Sequence, residues 1–341
     1  MSTWVLLAAV IIGFNAVSLA AILCVYLLYP HYIILFIFWV QGYIAGLKTK
    51  YVSDGQVTFC YGEKNKPRSD KPSLVFIHGF TANKESWSQS IKLLPKDLHI
   101  IAVDLLGHGH SSVPGEEVEL SMDYMMDTFH RFLELAGLSS VKVHLIGISL
   151  GGNIAGHYAV RHPETVAKVT MICPAMFTPV DSELARGLKE KLAKGVENLT
   201  LEDSKLLARD VDGLKELFQT LCYNKSAFLI NKQFLVGLLT LRQPRLNFFL
   251  RLYRSSSLHF LPSLSNVAAN ITPPSQVIWG KQDSIIDVSG AEYLKAKLPD
   301  CRHVDIIDKC GHALNLEYPE LFAKHILKFI MEDKDSSKKY D

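Results

Sequence analysis

The segment Gly147-Ile148-Ser149-Leu150-Gly151-Gly152 restricts what this chain can fold into more than any other. It follows a β-like run, Val141 to Ile146, and precedes a helix-like run, Asn153 to Arg161. A G-x-S-x-G between a strand and a helix reads as a sharp turn that lifts the serine hydroxyl clear of the sheet. Glycines flank it because strand and helix backbones pass close to the serine. The turn also aims the helix N-terminus, with its unpaired N–H groups, at whatever Ser149 attacks. A chance match in a Gly/Ser loop is the alternative, and the flanking strand and helix weigh against it.

Such a turn needs a parallel sheet around it, and the chain supplies one. Tyr51-Val52, Asp54-Gly55 and Val57 to Tyr61 read as a β-hairpin. Ser73 to Ile77 and Leu98 to Val103 are short continuous apolar runs, the pattern of strands buried on both faces. Lys84 to Leu94 reads as a helix between them. Ser121 is placed to cap a second helix, in which Met122, Met125, Met126, Phe129, Phe132, Leu133 and Ala136 recur at helical spacing until Gly137. That stripe is core packing. Val169 to Cys173 is one further strand. The alternation then stops until Ser275 to Trp279, and the interval has helical patterns at Glu183 to Val196, Leu201 to Asp210, Gly213 to Leu221 and Phe228 to Arg254. An insertion between two sheet strands predicts a cap over the strand C-termini. Helix Ser289 to Leu298, strand His303 to Ile307 and a terminal helix from Pro319 to Met331 complete the pattern, with a charged, disordered tail after it. The fold class is α/β, a mostly parallel sheet with helices on both faces.

The N-terminus is of another kind. Thr3 to Tyr29 contains no charged residue, and Trp4 to Leu28 is long enough to span a bilayer. A cleaved signal peptide is the competing reading; it lacks a basic leader and a cleavage site here. A transmembrane signal anchor is favoured. After Pro30-His31 apolarity resumes from Tyr32 to Leu47, with Phe36, Phe38, Trp39 and Tyr43. Aromatic-rich short segments favour the membrane interface. An in-plane helix is expected, a two-span hairpin being the alternative. The first cations, Lys48 and Lys50, put the large C-terminal part in the cytosol by the positive-inside rule. The sequons at Asn198, Asn224 and Asn270 matter only for the opposite topology. The expected organisation is an anchor at 3–29, an interfacial segment at 30–48, a core at 49–176 and 271–332, a cap at 177–270 and a tail at 333–341.

Net charge is +2, with no aromatic–basic interleaving, which gives no case for nucleic acid. None of the six cysteines is spaced as CxxC, so they are expected to be free thiols, with neither a disulfide framework nor a metal site. No cofactor is called for.

A serine needs a base and an orienting acid to act as a nucleophile. In the order Ser…Asp…His the acid follows a late strand and the histidine comes near the end. Asp283 lies just after the strand Ser275–Trp279, and His312 just after His303–Ile307. His312 is the expected base and Asp283 its orienting acid; Asp287 is a rival acid, ranked lower because it lies further from the strand end. An oxyanion needs two fixed N–H donors. Leu150, next after the nucleophile, supplies one, and Phe80, in the His78-Gly79-Phe80 loop after Ser73–Ile77, the other. His78 is expected to be structural. Asp104…Gly107-His108-Gly109-His110-Ser111 is read as scaffold, because it lacks the Lys-Ser/Thr of a phosphate loop. In the cap, Phe248 and Phe249 lie among Arg242, Arg245, Arg251 and Arg254. They are read either as an amphipathic surface for anionic headgroups or as an ordinary cap helix.

These motifs resemble the α/β-hydrolase superfamily from about Tyr51 to Met331. Phe59-Cys60-Tyr61, Leu94-Pro95-Lys96, Trp279 to Asp283 and Asp287 to Ala291, with the anchor, are similar to its membrane-anchored monoacylglycerol lipases. The chain departs from that group in Tyr32–Leu47, which is more hydrophobic and lacks its arginines. The resemblance implies hydrolysis of monoacylglycerols, including 2-arachidonoylglycerol, at cytosol-facing late endosomal, lysosomal or plasma membranes. Lysophospholipids and bis(monoacylglycero)phosphate are also implied. So is association with AMPA-type glutamate receptors, for which no motif is visible. A carbon–carbon bond hydrolase on the same fold and a non-catalytic membrane scaffold are the alternatives. Ser149 in place of an elbow aspartate argues against epoxide hydrolases and dehalogenases.

Overall fold

The computed structural model describes residues 3–225 and 231–336. Its first element, helix α1 (Thr3–Leu28), holds a stretch from Val10 to Leu28 with mean hydropathy 2.3 and none of it buried. At 1.5 Å per residue that stretch measures about 28 Å, close to the thickness of a hydrocarbon core. Helix α2 (Pro30–Ala45) starts on a proline, whose missing N–H costs nothing at a helix start, and ends on Gly46 in the left-handed region at φ +79°.

The globular part is an eight-stranded sheet in the order β1-β2-β4-β3-β5-β6-β7-β8. The hairpin β1 (Lys48–Ser53) and β2 (Thr58–Lys64) is antiparallel, and β2 pairs antiparallel with β4 (Ile100–Val103). The remaining pairs, through β3 (Ser73–Ile77), β5 (Val143–Ile148), β6 (Val166–Ile172), β7 (Ser275–Gly280) and β8 (Cys301–Ile307), are parallel. Every residue of β3, β4, β5 and β7 is buried, the burial expected at β3 and β4 from their apolar runs. Helices cover the sheet. In one layer Trp87 packs between Phe76 of β3 and Phe322 of α13 (Pro319–Ser336). In the other, Phe132 of α4 (Met122–Leu135) meets Phe59 and Tyr61 of β2, and Phe129 meets Tyr158 of α5 (Leu150–Arg161). Ser121 caps α4 by accepting from the Tyr124 N–H at 3.2 Å.

Between β6 and β7 the chain leaves the sheet. It forms α6 (Glu183–Leu192), α7 (Val211–Leu221), α8 (Lys232–Arg242), α9 (Leu246–Ser255) and α10 (Ser263–Val267). Several expected helices are shorter or broken. Lys84 to Leu94 is a 3-10 turn, Lys84–Trp87, followed by the single α turn α3 (Ser88–Ile91). Leu201 to Asp210 is two 3-10 turns, because the Thr200 and Ser204 hydroxyls accept from the Glu202 and Leu206 N–H groups and restart the chain locally. Phe228 to Arg254 is interrupted at Gln243–Arg245, where Pro244 has no N–H to continue α8; the start of that expected helix, 228–230, lies outside the described residues. Helix α13 runs to Ser336, five residues past its expected end, since the charged residues after Met331 are good helix formers and no breaker intervenes. Residues 337–341 of the expected disordered tail lie outside the described residues.

Helix α2 joins the N-terminus to the α8 helix. Pro30 and Ile34 are buried, and a Cβ on Gly237 would stand 2.7 Å from Ile34 Cγ1 and 2.8 Å from the Pro30 carbonyl oxygen. The Gln233 amide donates to the carbonyls of Tyr26 and Leu27 at 3.3 and 3.0 Å, closing the otherwise unpaired end of α1. This contact predicts that Gly237→Leu pries α2 off α8 at a cost of roughly 1–3 kcal/mol. Thermal unfolding and limited proteolysis at the α1–α2 junction check it; an unchanged midpoint with unchanged cleavage would refute the contact.

Candidate active site

Ser149 sits between β5 and α5 with φ +55° and ψ −119°, a left-handed region costly for any residue with a Cβ. The turn is held there by its backbone. The Ser149 N–H donates to the Ile172 carbonyl at 2.9 Å, and its own carbonyl accepts from Asn153 and Ala175 at 3.0 and 2.8 Å. A Cβ on Gly147 would come 2.1 Å from the Gly151 carbonyl oxygen, which is why position 147, two before the nucleophile, must be glycine.

Asp283 and His312 follow β7 and β8 and are both buried. Asp283 Oδ2 accepts from His312 Nδ1 at 2.7 Å, while Oδ1 accepts the N–H groups of Ile285 and Ile286 at 2.8 and 3.0 Å. With its proton on Nδ1, the neutral imidazole has Nε2 as an acceptor. The two loops are laced together: Gln282 N–H donates to the Cys310 carbonyl at 3.0 Å, and Cys310 N–H to the Gln282 side chain at 3.1 Å. Asp287 is not part of this. Its Oδ1 accepts the Ser289 N–H at 2.9 Å, at the start of α11 (Ser289–Lys297).

Cys173, at the end of β6, completes the floor. Its Sγ donates to the His312 carbonyl at 3.2 Å and lies with the Asp283 and His312 ligand atoms inside 4.8 Å. These are metal-ligand residue types. Burial, however, pushes the thiol well above its ordinary pKa, and the Asp283 carboxylate already accepts three hydrogen bonds. All six cysteines are free.

The loop after β3 runs against the nucleophile: a Cβ on Gly79 would lie 3.2 Å from Ser149 Cβ. The N–H groups of Phe80 and Leu150 are taken up by no other group among the described residues. Two histidines fix this loop. His78 Nδ1 donates to the Gly79 carbonyl at 2.8 Å, and its Nε2 accepts from Leu105 at 3.1 Å. His108 Nδ1 donates to the Leu106 carbonyl at 3.0 Å, and its Nε2 accepts from Thr81 at 3.2 Å. Burial lowers the pKa of both, which keeps each ring neutral, with one donor and one acceptor. Asp104 ties in the same region by accepting from the Lys84 and His110 N–H groups at 2.7 and 3.0 Å.

The cap arginines do not form a headgroup surface. Phe248 and Phe249 are buried, and each arginine donates to main chain or to a buried hydroxyl. Arg242 reaches Thr81 Oγ1 at 2.8 Å and the Leu206 carbonyl at 3.0 Å; burial lowers its pKa to about 10. Arg245 reaches the Gly109 carbonyl at 2.7 Å, Arg251 the Val118 carbonyl at 2.7 Å, and Arg254 Nε the Leu199 carbonyl at 2.9 Å. Helical spacing cannot distinguish such clamps from an amphipathic stripe, since both put cations beside aromatics on one helix. Thr81 is the residue that sequence reading missed; His108 lies in the stretch read as scaffold, and Arg242 was singled out for a different role. Only the Gly-His-Gly run around His108 hinted at it.

Residues 72–319 match the family model for the alpha/beta hydrolase fold. The chain belongs to the α/β-hydrolase family. This α/β-hydrolase is 35% identical over 341 residues to monoacylglycerol lipase abhd6-B of Xenopus laevis, covering 96% of each chain. To monoacylglycerol lipase ABHD6 of Homo sapiens it is 32% identical over 333 residues, again covering 96% of each. Among solved structures it is similar to a bacterial membrane phospholipase A, with TM-score 0.79 and 25% identity, covering 95% of this chain and 98% of that one. It is thus a serine hydrolase of the α/β fold related to these lipases.

The geometry separates the two acids. Asp283→Asn is expected to lower kcat on an ester substrate by about 10⁴, through the wrong imidazole tautomer, while Asp287→Asn leaves it unchanged. Steady-state kinetics on both variants decides, and the reverse order of effects would hand the role to Asp287. Arg242→Gln is expected to loosen the Phe80–Thr81 loop and lower kcat by roughly tenfold with little change in KM, as loss of a fixed transition-state donor does. A pure KM effect would place Arg242 in substrate binding instead.

Proposed function

We propose that this protein is a bilayer-anchored monoacylglycerol hydrolase that releases a fatty acid and glycerol through an acyl-enzyme. The observation that carries the reading is the 2.7 Å His312–Asp283 hydrogen bond, in a chain whose Ser149 occupies the strained strand-to-helix turn. His312 Nε2 takes the Ser149 proton as Oγ attacks the ester carbonyl. The N–H groups of Phe80 and Leu150 receive the oxyanion. His312 then returns the proton to the departing glycerol oxygen, and Asp283 stabilises the imidazolium throughout. Water admitted to the acyl-enzyme is activated by the same histidine and frees the acid.

The substrate class rests on two supports. The relatives named as monoacylglycerol lipases match the chain over nearly its whole length. Helix α1, apolar and long enough to cross a bilayer, supports an anchor that would hold the serine near the surface where amphipathic esters partition. In this reading residues 3–29 anchor the protein, 30–48 lie in the interface and 177–270 cap the acyl site, with the catalytic domain on the cytosolic side of late endosomal, lysosomal or plasma membranes. The charge pattern around Lys48 and Lys50 supports that side. Lysophospholipids fit the same chemistry, since only the group beyond the ester differs.

Ser149→Ala is expected to abolish both monoacylglycerol hydrolysis and fluorophosphonate labelling in detergent-solubilised protein, with thermal stability unchanged or raised by relief of the turn strain. Retained turnover would end the assignment. Preference for vinylogous diketones over monoacylglycerols in the same assay would point to carbon–carbon bond hydrolysis instead.

A further inference from the structure

Helices α2, α3 and α13 lie side by side, with α3 packed against both of the others. On α2, Tyr32, Phe36, Trp39 and Tyr43 recur at helical spacing and are all exposed, so one side of the helix is an aromatic stripe. Trp39 and Tyr43 stand across from Ser88 of α3. On the far side of α3 a shallow groove of about 440 Å³ runs between Leu93 and α13, lined there by Ala323, Leu327 and Met331. Lys324 and Lys328 line it as well, and Lys92 precedes Leu93. These three lysines and Lys48, just past α2, are exposed. None of the four makes an ion pair among the described residues; Lys92 donates only to the neutral Gln89 side chain. The acids nearby do not cancel them. Glu85 is paired with Lys84, Glu332 with Arg302 and His303, and Glu320 is the single acid lining the groove. The face is therefore apolar with an excess of positive charge.

We propose that this face rests on the headgroup layer of an anionic bilayer. The aromatics of α2, with Leu93, Leu327 and Met331, meet the interface, and the lysines meet lipid phosphates and carboxylates. Tryptophan and tyrosine favour that depth, and lysines beside an apolar surface add attraction to anionic lipid. A lysine can lay its apolar stem along the groove while its ammonium reaches a headgroup. The occupant is a bilayer because the stripe continues from the apolar span of α1, with only Tyr29 between the two helices. A second copy docked face to face would instead bring the lysines of both copies together. The inference rests on α1 as the anchor of the proposed function and adds a second attachment. It also sets an orientation. Helices α3 and α13 cover one face of the sheet, through Trp87 between Phe76 and Phe322. A domain lying on that layer points the strand C-termini, and with them Ser149, along the membrane and not into it.

The test uses the full chain in nanodiscs of phosphatidylcholine, with or without phosphatidylserine. A water-soluble amine-reactive ester labels exposed lysines, and mass spectrometry reads the rate at each. Phosphatidylserine is expected to slow labelling of Lys92, Lys324 and Lys328 roughly threefold or more, and to leave the exposed Lys215 on α7 and Lys309 unchanged. At about 1 M salt, where the screening length falls to about 3 Å, that protection is expected to vanish. The double variant Lys324→Glu/Lys328→Glu is expected to lose it at Lys92 too. Turnover of a short water-soluble ester and fluorophosphonate labelling are expected to stay unchanged in the variant, which keeps this test apart from that of the proposed reaction. Equal labelling in the two bilayers would overturn the proposal. So would protection of Lys215 in place of Lys92, which would put the segment between β6 and β7 on the membrane instead. The salt series uses the unaltered chain and decides even if the variant folds poorly.

Discussion

The close passage of β5 against α5 is the constraint on which the rest of this molecule depends. Ser149 is held at φ +55° between two backbones that leave no room for a Cβ at Gly147. A residue in that region gives up about 1–3 kcal/mol, which surrounding structure must supply. It does so through main-chain bonds from β6 and the segment after it, Ile172 and Ala175, and through Asn153, whose amide donates to Ala175 and Phe260 at 2.8 and 2.9 Å. The turn thus fixes the order of the sheet around it. Only a parallel neighbour ending at the same level can present those groups.

Around the site the buried histidines of the two Gly-rich loops and the arginines above them are satisfied mainly by fixed main chain. His78 and His108 each use one nitrogen as donor and one as acceptor, which requires them neutral, and burial keeps them so. Arg245 and Arg251 donate to the Gly109 and Val118 carbonyls of the loops below, and Arg242 and Arg254 to the Leu206 and Leu199 carbonyls of their own insertion. A guanidinium has five N–H groups in a rigid plane, so one side chain can fasten two loops. The segment between β6 and β7 is therefore tied to the Phe80–Thr81 loop through Arg242 and to the N-terminal helices α1 and α2 through Gln233 and Gly237. One continuous chain of contacts runs from α1 to the loop beside Ser149.

Much of this was legible in the residues, and the reason differs from place to place. Ser73–Ile77 was readable to the residue because a strand buried on both faces has no polar position to blur its ends. Asp283 and His312 were readable because each follows a strand, and the ends of parallel strands converge on one edge. The 3-10 turns at Leu201–Asp203 and Lys205–Leu207 were not, since hydroxyl capture of single N–H groups leaves the hydrophobic period intact. The arginines were misread because spacing reports which face of a helix a side chain takes, not what it meets there.

Sequence alone determined the strand–turn–helix around Ser149, the order of serine, acid and base, and the apolar length of α1. These depend on local sterics and on hydrophobic patterning, which act between residues close in the chain or through the number of apolar groups in a run. Tertiary structure decided the rest: that Asp283 and not Asp287 meets His312, that Cys173 closes the floor beneath them, that Arg242 holds Thr81, and that α2 packs on Gly237 of α8. Each of these joins residues far apart in the chain, across gaps of a few ångströms that only the packing of the whole sheet and cap can set.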